Sequence, residues 1–484
     1  MLQHIAQFPD RVLISDAHGE HTGNDLLRAA AAVSASLGQG KGQRIALLAG
    51  PGSPYVSGML GIWQSGAAYV PLCTSHPPAE LAHVIRDSEV SCVLVQEELR
   101  HLLPGEISIP FLTLVKNSAE PKHFIPGPAG DAMILYTSGT TGKPKGAVHT
   151  HRSLEAQVKC LADAWEWTGS DRILHFLPLH HTHGIVNKLL CALYSGARCD
   201  MLPAFNAEEV WKRLIETPYT VFMAVPTIYA KLIQSWEEAS AEERQRRSEA
   251  CRKLRLMVSG SAALPVAVLE KWRQVSGHIL LERYGMTEIG MALSNPLRGE
   301  RRAGFVGQAL PGVEVRIADE AGKILEGEGS SGELQVRGKN LFDRYYNNEK
   351  ATRESFTDDG WFKTGDMVSF ERGAFRIVGR LSTDIIKTGG YKVSALEIED
   401  VLLRHPAIRE CCVLGVADET WGERVAAVVV LRDHKTLSLE ELKEFARANL
   451  APYKIPTLLK IVDALPRNAM GKVVKGEARK SISV

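Results

Sequence analysis

The chain has 484 residues, too many for one hydrophobic core, so length predicts roughly two to four domains or subdomains. With 57 basic residues against 56 acidic ones the formal net charge is +1, which gives no ground for a general nucleic-acid or membrane-surface role. Hydrophobic residues at 45% and charged ones at 23% are the balance of a globular protein in water, and no apolar run approaches the ~20 residues that span a bilayer.

Residues 1–10 have neither the basic and apolar stretches of a secretory signal nor an Arg/Ser-rich, acid-poor transit segment. The expected location is cytoplasmic, with the mitochondrial matrix as the alternative if a transit peptide precedes this sequence. Residues 44–49 read as a strand and 55–64 as the helix after it; 79–87 is helical and 90–95 the next strand. Residues 221–225 and 254–258 read as buried strands around a helix over 227–238, and this alternation predicts α/β layers with a largely parallel sheet. The charged stretch 237–253 reads as a solvated helical surface. From Gly312 the texture changes to short strands and Gly/Asp turns (313–317, 332–338, 374–378), a small β-rich subdomain. A compact α+β pattern follows Gly379-Arg380. The eight cysteines are scattered, most in apolar surroundings, and predict buried thiols in a reducing compartment.

One segment carries most of the chemistry. Tyr136-Thr-Ser-Gly-Thr-Thr-Gly-Lys-Pro-Lys-Gly146 packs three glycines, four Ser/Thr hydroxyls and two lysines into eleven residues. Glycines let backbone N–H groups approach an anion, hydroxyls add donors, and Lys143 and Lys145 add charge. That is a triphosphate cradle. It is not a Walker A loop, because Pro144 follows Gly142-Lys143. Leu179-His-His-Thr-His-Gly184 has the look of a metal site, but no Cys, Asp or Glu nearby in sequence completes a ligand set.

The phosphate segment, with Ser259-Gly-Ser-Ala-Ala-Leu264, Tyr284-Gly-Met-Thr-Glu288, Asp359-Gly-Trp-Phe-Lys-Thr-Gly-Asp366, Gly379-Arg380, Lys387-Thr-Gly-Gly-Tyr-Lys392 and Pro466-Arg-Asn-Ala-Met-Gly-Lys472, resembles the adenylate-forming superfamily of acyl-CoA synthetases, adenylation domains and luciferases. Within it the chain is most similar to the malonyl-CoA synthetases. The resemblance implies an α/β fold. A large N-terminal domain of layered α/β subdomains plus a small β-rich subdomain would fill residues 1–381. A small mobile α+β C-terminal domain would fill 382–484, with the hinge at Leu381-Ser382.

It also implies roles. Thr137, Ser138, Gly139, Thr140, Thr141, Gly142, Lys143, Pro144 and Lys145 would hold the triphosphate of ATP. Tyr284 would stack on adenine, with Thr287 also at the nucleotide, Asp366 and Arg380 would take the ribose, and Glu288 would hold Mg²⁺. Lys472 would bridge the carboxylate and the α-phosphate as one attacks the other, and then leave. Gly389, Gly390, Tyr391 and Lys392 would line the pantetheine tunnel for CoA. His181 would gate the acyl pocket, with His183 a second contributor.

The substrate reading rests on Arg283, in Leu280-Leu-Glu-Arg-Tyr284, where many relatives have a small residue. A guanidinium beside the reacting carboxylate suits a second carboxylate, with Ser261 as a further polar contact. The expected reaction joins malonate, with methylmalonate next, to CoA through an acyl-adenylate, releasing AMP and pyrophosphate. The alternatives are a short- or medium-chain monocarboxylate ligase and a free-standing enzyme that loads a carrier protein.

Overall fold

The computed structural model describes residues 1–105, 109–114, 119, 127–137, 144–468 and 471–482. Two wide sheets dominate. The first has nine strands, and six of them, from Leu281–Met286 through Leu256–Ser259, Val221–Ala224, Arg172–His175 and Arg198–Met201 to Val12–Asp16, run parallel. The second has seven, parallel from Asp131–Thr137 through Ala68–Pro71, Arg44–Leu48 and Cys92–Val95 to Phe111–Thr113. Helices cover these sheets on both faces, so central strands such as Val221–Ala224, Leu256–Ser259 and Cys92–Val95 are buried at every residue and read as unbroken apolar runs. Antiparallel additions close the edges: Lys145–Thr150 pairs with Asp131–Thr137, and Gly290–Ser294 with Leu281–Met286.

Helix ends follow local chemistry. Thr22 and Thr150 form reciprocal caps with Asp25 and Ser153 at the helices Gly23–Leu37 and His151–Ala164. The stretch 237–253, expected to be a solvated helical surface, is helical and largely exposed, with one break between two helices. The helix Pro226–Glu238 ends, and Ser240 caps a new one, Ala241–Arg252. That helix buries Arg247, which pairs with Glu208 at 2.6 Å and lies 5.6 Å from the Trp211 ring. The two strands expected at 90–95 and 254–258 begin later, at Cys92 and Leu256, because the residues ahead of them turn out of the preceding helices.

A five-stranded antiparallel sheet over 313–380 follows, ending in the hairpin Phe362–Glu371 and Ala374–Arg380. The last sheet contains Ile385–Thr388, Tyr391–Ser394, Ile408–Asp418, Gly422–Leu431 and Leu458–Ile461, and belongs to the small C-terminal domain. That domain rests on the large one. Asp400 Oδ1 accepts from the Val266 N–H at the start of the helix Val266–Ser276, and Lys392 pairs with Glu320 at 2.5 Å. Among the described residues all eight cysteines are free, seven of them buried and Cys411 half-buried. No helix among these residues is long and apolar enough to cross a membrane.

Candidate functional site

The strand Leu281–Met286 delivers two adjacent side chains to different work. Side chains alternate across a strand, so Glu282 and Arg283 face opposite ways. Glu282 accepts from the Gly304 N–H at 3.3 Å, and burial pushes its carboxyl up to about 8. Arg283 turns into the protein and is 4% exposed. Its Nη2 donates to Ser261 Oγ at 3.3 Å, while Nε is buried without a hydrogen-bond partner and no carboxylate among the described residues pairs with it. Gly260 makes the room: a Cβ there would stand 2.5 Å from Arg283 Cζ. Ser261 adopts a φ of +73°, uncommon for a residue with a side chain, and its hydroxyl also meets His183 Nδ1 at 3.1 Å. His183 opens the π-helix His183–Leu190, a rare winding that is frequent at functional sites. Burial, and then the Arg283 charge, hold its pKa well below the ordinary histidine value, so the ring is neutral. The result is a buried cluster of one positive charge without a carboxylate partner among the described residues, a neutral imidazole and a hydroxyl. Such a cluster is stabilised by an anion.

His183, expected to be the lesser contributor, shares Ser261 with Arg283. His181 packs instead against His180, with tilted rings whose centroids are 4.3 Å apart. Of the three histidines in 179–184, His180 lies beside Cys73 and His76, residues distant in sequence.

Next along the strand, Tyr284 donates its hydroxyl to Asp366 Oδ2 at 2.6 Å. Arg380 grips the same carboxylate with two bonds, Nε to Oδ1 at 2.8 Å and Nη2 to Oδ2 at 3.0 Å. The register of the hairpin sets this pair, because Asp366 and Arg380 are directly opposite. Burial opposes the Arg380 charge, but the bonds to Asp366 outweigh it and its pKa rises. Thr287 and Glu288 occupy the turn beyond Met286. Glu288 is 5% exposed, and burial raises its carboxyl pKa against the hydrogen bond that Tyr345 Oη donates to Oε1 at 2.8 Å. Lys145 Nζ sits 5.3 Å from the centre of the Tyr345 ring. Tyr345 therefore links the strand that begins at Lys145 to Glu288, a connection no motif announced.

Thr137 and Lys145 face each other at the base of that hairpin. Pro144 contributes its carbonyl, which lies 3.2 Å from His83 Nε2. Ser138, Gly139, Thr140, Thr141, Gly142 and Lys143 lie outside the described residues. In the C-terminal domain Lys472 is exposed, in a turn where its N–H donates to Asn468 Oδ1 at 3.0 Å. A Cβ on the preceding Gly471 would stand 3.8 Å from Thr227 Oγ1, so this turn borders the large domain. Gly389 and Gly390 form the turn between Ile385–Thr388 and Tyr391–Ser394, and Tyr391 and Lys392 open the second of these strands. Tyr391 stacks on Tyr453 at 4.2 Å and Lys392 pairs with Glu320, so neither side chain is engaged with Arg283 or Asp366.

The pattern of the AMP-binding enzyme family matches residues 2–346, and that of its C-terminal domain residues 397–472. The chain belongs to the AMP-binding enzyme family. It is 46% identical to the mitochondrial malonate–CoA ligase of Xenopus laevis, covering 97% of this chain and 89% of that protein. Identity to the human mitochondrial malonate–CoA ligase is also 46%, over 97% of this chain and 89% of that one. Among solved structures, ATP-bound MatB from Rhodopseudomonas palustris superposes with a TM-score of 0.90 at 33% identity, covering 99% of this chain and 98% of the other. A malonyl-CoA ligase ternary product complex with methylmalonyl-CoA and AMP gives 0.72 at 38% identity, covering 95% and 97%. This AMP-binding enzyme thus shares the arrangement of the ATP-bound neighbour more closely than that of the product complex.

Proposed function

We propose that this enzyme joins malonate to CoA with ATP, through malonyl-adenylate, releasing AMP and pyrophosphate. The observation that carries the reading is Arg283, a buried guanidinium with an unpaired Nε, flanked by Ser261 and neutral His183. One carboxylate of a short diacid pairs with Arg283, and the other is then held where it can attack the α-phosphorus of ATP. A monocarboxylate leaves the arginine buried and unpaired, which disfavours it. The similarity to malonate–CoA ligases supports the same choice. Methylmalonate adds one methyl, a discrimination of only about 1–3 kcal/mol, and is expected as a weaker substrate.

Around the diacid, Lys145 and the hairpin that begins at Thr137 hold the triphosphate, Tyr284 and Thr287 meet the adenine side, and Asp366 with Arg380 receives the ribose. Glu288 fits Mg²⁺: a buried carboxylate with one protein donor and a raised pKa is charged more readily beside a divalent cation. Mg²⁺ bound there with ATP would supply positive charge to the phosphates. Lys472 enters for the attack and withdraws. The C-terminal domain, taken as 382–484, then turns about Leu381-Ser382 to bring Gly389, Gly390, Tyr391 and Lys392 to the thiol of CoA. Leu381 is 37% exposed between the last two sheets, which supports a hinge there. Unpaired cysteines suit a reducing compartment, and both the cytoplasm and the mitochondrial matrix meet that condition.

The test is pyrophosphate release with ATP and CoA across malonate, methylmalonate, succinate, acetate, butyrate and octanoate, with the thioester identified by mass. Malonate should give the highest kcat/KM. Preference for a monocarboxylate would overturn the substrate while leaving thioester ligation in place.

A further inference from the structure

We propose that Cys73, His76 and His180 form a binding site for a thiophilic divalent cation, Zn²⁺ foremost. The site shares no residue with the Arg283, Ser261 and His183 cluster and does not depend on which acid the enzyme uses. One ligand atom from each residue lies within 4.8 Å of the other two. Tetrahedral zinc, with bonds of about 2.0–2.3 Å, needs its ligand atoms about 3.3–3.8 Å apart, so modest side-chain rotation closes the set.

The backbone has arranged this pairing from two distant places. After the strand Ala68–Pro71 the chain turns, with the His76 N–H donating to the Cys73 carbonyl at 3.2 Å, and the turn aims sulfur and imidazole the same way. His180 arrives from the other wide sheet, in the connection between the strand Arg172–His175 and the π-helix His183–Leu190. Its ring lies 5.4 Å from that of His76. His180 Nε2 is buried and has no hydrogen-bond partner among the described residues, the state of a nitrogen prepared for a ligand. His76 Nδ1 lies 3.3 Å from Glu80 Oε2, which leaves Nε2 for the metal and gives the carboxylate–histidine support typical of zinc ligands. Cys73 is buried at 4% exposure, with Ser75 Oγ 3.1 Å from its sulfur. Thiolate and imidazole together select zinc over the oxygen-seeking Mg²⁺ that travels with ATP. Three protein ligands leave a fourth position for water. A bound ion would tie the two wide sheets together at the segment that leads into His181 and His183.

The experiment uses the full-length enzyme, stripped with a chelator and titrated with Co²⁺ as a spectroscopic stand-in for Zn²⁺. One equivalent should produce the near-ultraviolet thiolate-to-cobalt charge-transfer band and the visible bands of a tetrahedral ion. Zn²⁺ should then bleach both. Cys73→Ser should lose the charge-transfer band, His180→Gln should bind more weakly by at least tenfold, and Cys251→Ser, a buried cysteine elsewhere, should behave as the parent. Zn²⁺ should also raise the thermal midpoint of the parent and not of Cys73→Ser. The absence of a charge-transfer band in the unaltered enzyme overturns the proposal whatever the variants do. So does a band that survives Cys73→Ser in folded protein.

Discussion

Replacing Arg283 with methionine separates its cost to the fold from its value to the reaction, because the two effects have opposite signs. In the free enzyme the guanidinium is buried, makes one hydrogen bond of 3.3 Å to Ser261, and has no carboxylate partner among the described residues. Exchanging a buried ionic group for a hydrophobic one of similar volume stabilises by about 1–4 kcal/mol. With an unfolding entropy of about 0.8 kcal/mol/K for a domain of roughly 380 residues, that is a rise of about 1–5 °C in the thermal midpoint without ligands. Ser261 keeps His183 as a partner, so the substitution strands no hydroxyl. With malonate bound, the same change removes one member of a buried, hydrogen-bonded charge pair, worth about 3–5 kcal/mol. At 1.36 kcal/mol per decade, kcat/KM for malonate should fall roughly 150- to 5,000-fold. KM for ATP should hold within a few-fold, and activity on acetate should not fall. The assays are scanning fluorimetry of the ligand-free protein and steady-state pyrophosphate release with malonate and acetate. A variant that is less stable than the parent, yet keeps malonate kcat/KM within threefold, would show that Arg283 serves the fold and not the acid.

Asp366→Asn should raise KM for ATP by about 10- to 150-fold, from the loss of roughly 1.5–3 kcal/mol of charge-assisted bonding; a collapse in malonate affinity at unchanged ATP affinity would refute the ribose placement. Lys472→Ala should cut malonate-dependent pyrophosphate exchange at least 100-fold, about the effect of removing one charge-stabilising donor. Thioester formation from synthetic malonyl-adenylate should stay within a few-fold, and equal loss of both steps in a folded variant counts against the assigned role. Tyr345→Phe removes the hydrogen bond that holds down the Glu288 pKa, which burial already raises. The charged carboxylate exists only above that pKa, so the acid limb of kcat/KM for Mg²⁺-ATP should move to higher pH. The Mg²⁺ concentration for half-maximal rate should rise about fivefold, for a bond of roughly 1 kcal/mol; an unmoved acid limb and Mg²⁺ curve would sink the link from Tyr345 to the cation.

Local chemistry was legible in the chain itself. Unbroken apolar runs such as Val221–Ala224 declare parallel strands, and the glycines and hydroxyls between Thr137 and Lys145 and the arginine before Tyr284 are the grounds on which an anion cradle and a diacid are proposed. These depend on neighbours in sequence and on the alternation of side chains along a strand, which brings Arg283 and Glu282 to opposite faces whatever the rest of the fold does. The depth of Arg283 was a different matter. Only the tertiary packing leaves its Nε unpaired and puts Gly260 where a side chain would collide with the guanidinium. The resemblance pointed to His181, but the histidine that meets Ser261 is His183, at the start of the π-helix. Tyr345 reaches Glu288 from 57 residues away, and Cys73 meets His180 across two different sheets. Contacts of that range carry no local periodicity, because they are set by how layers stack after each has formed.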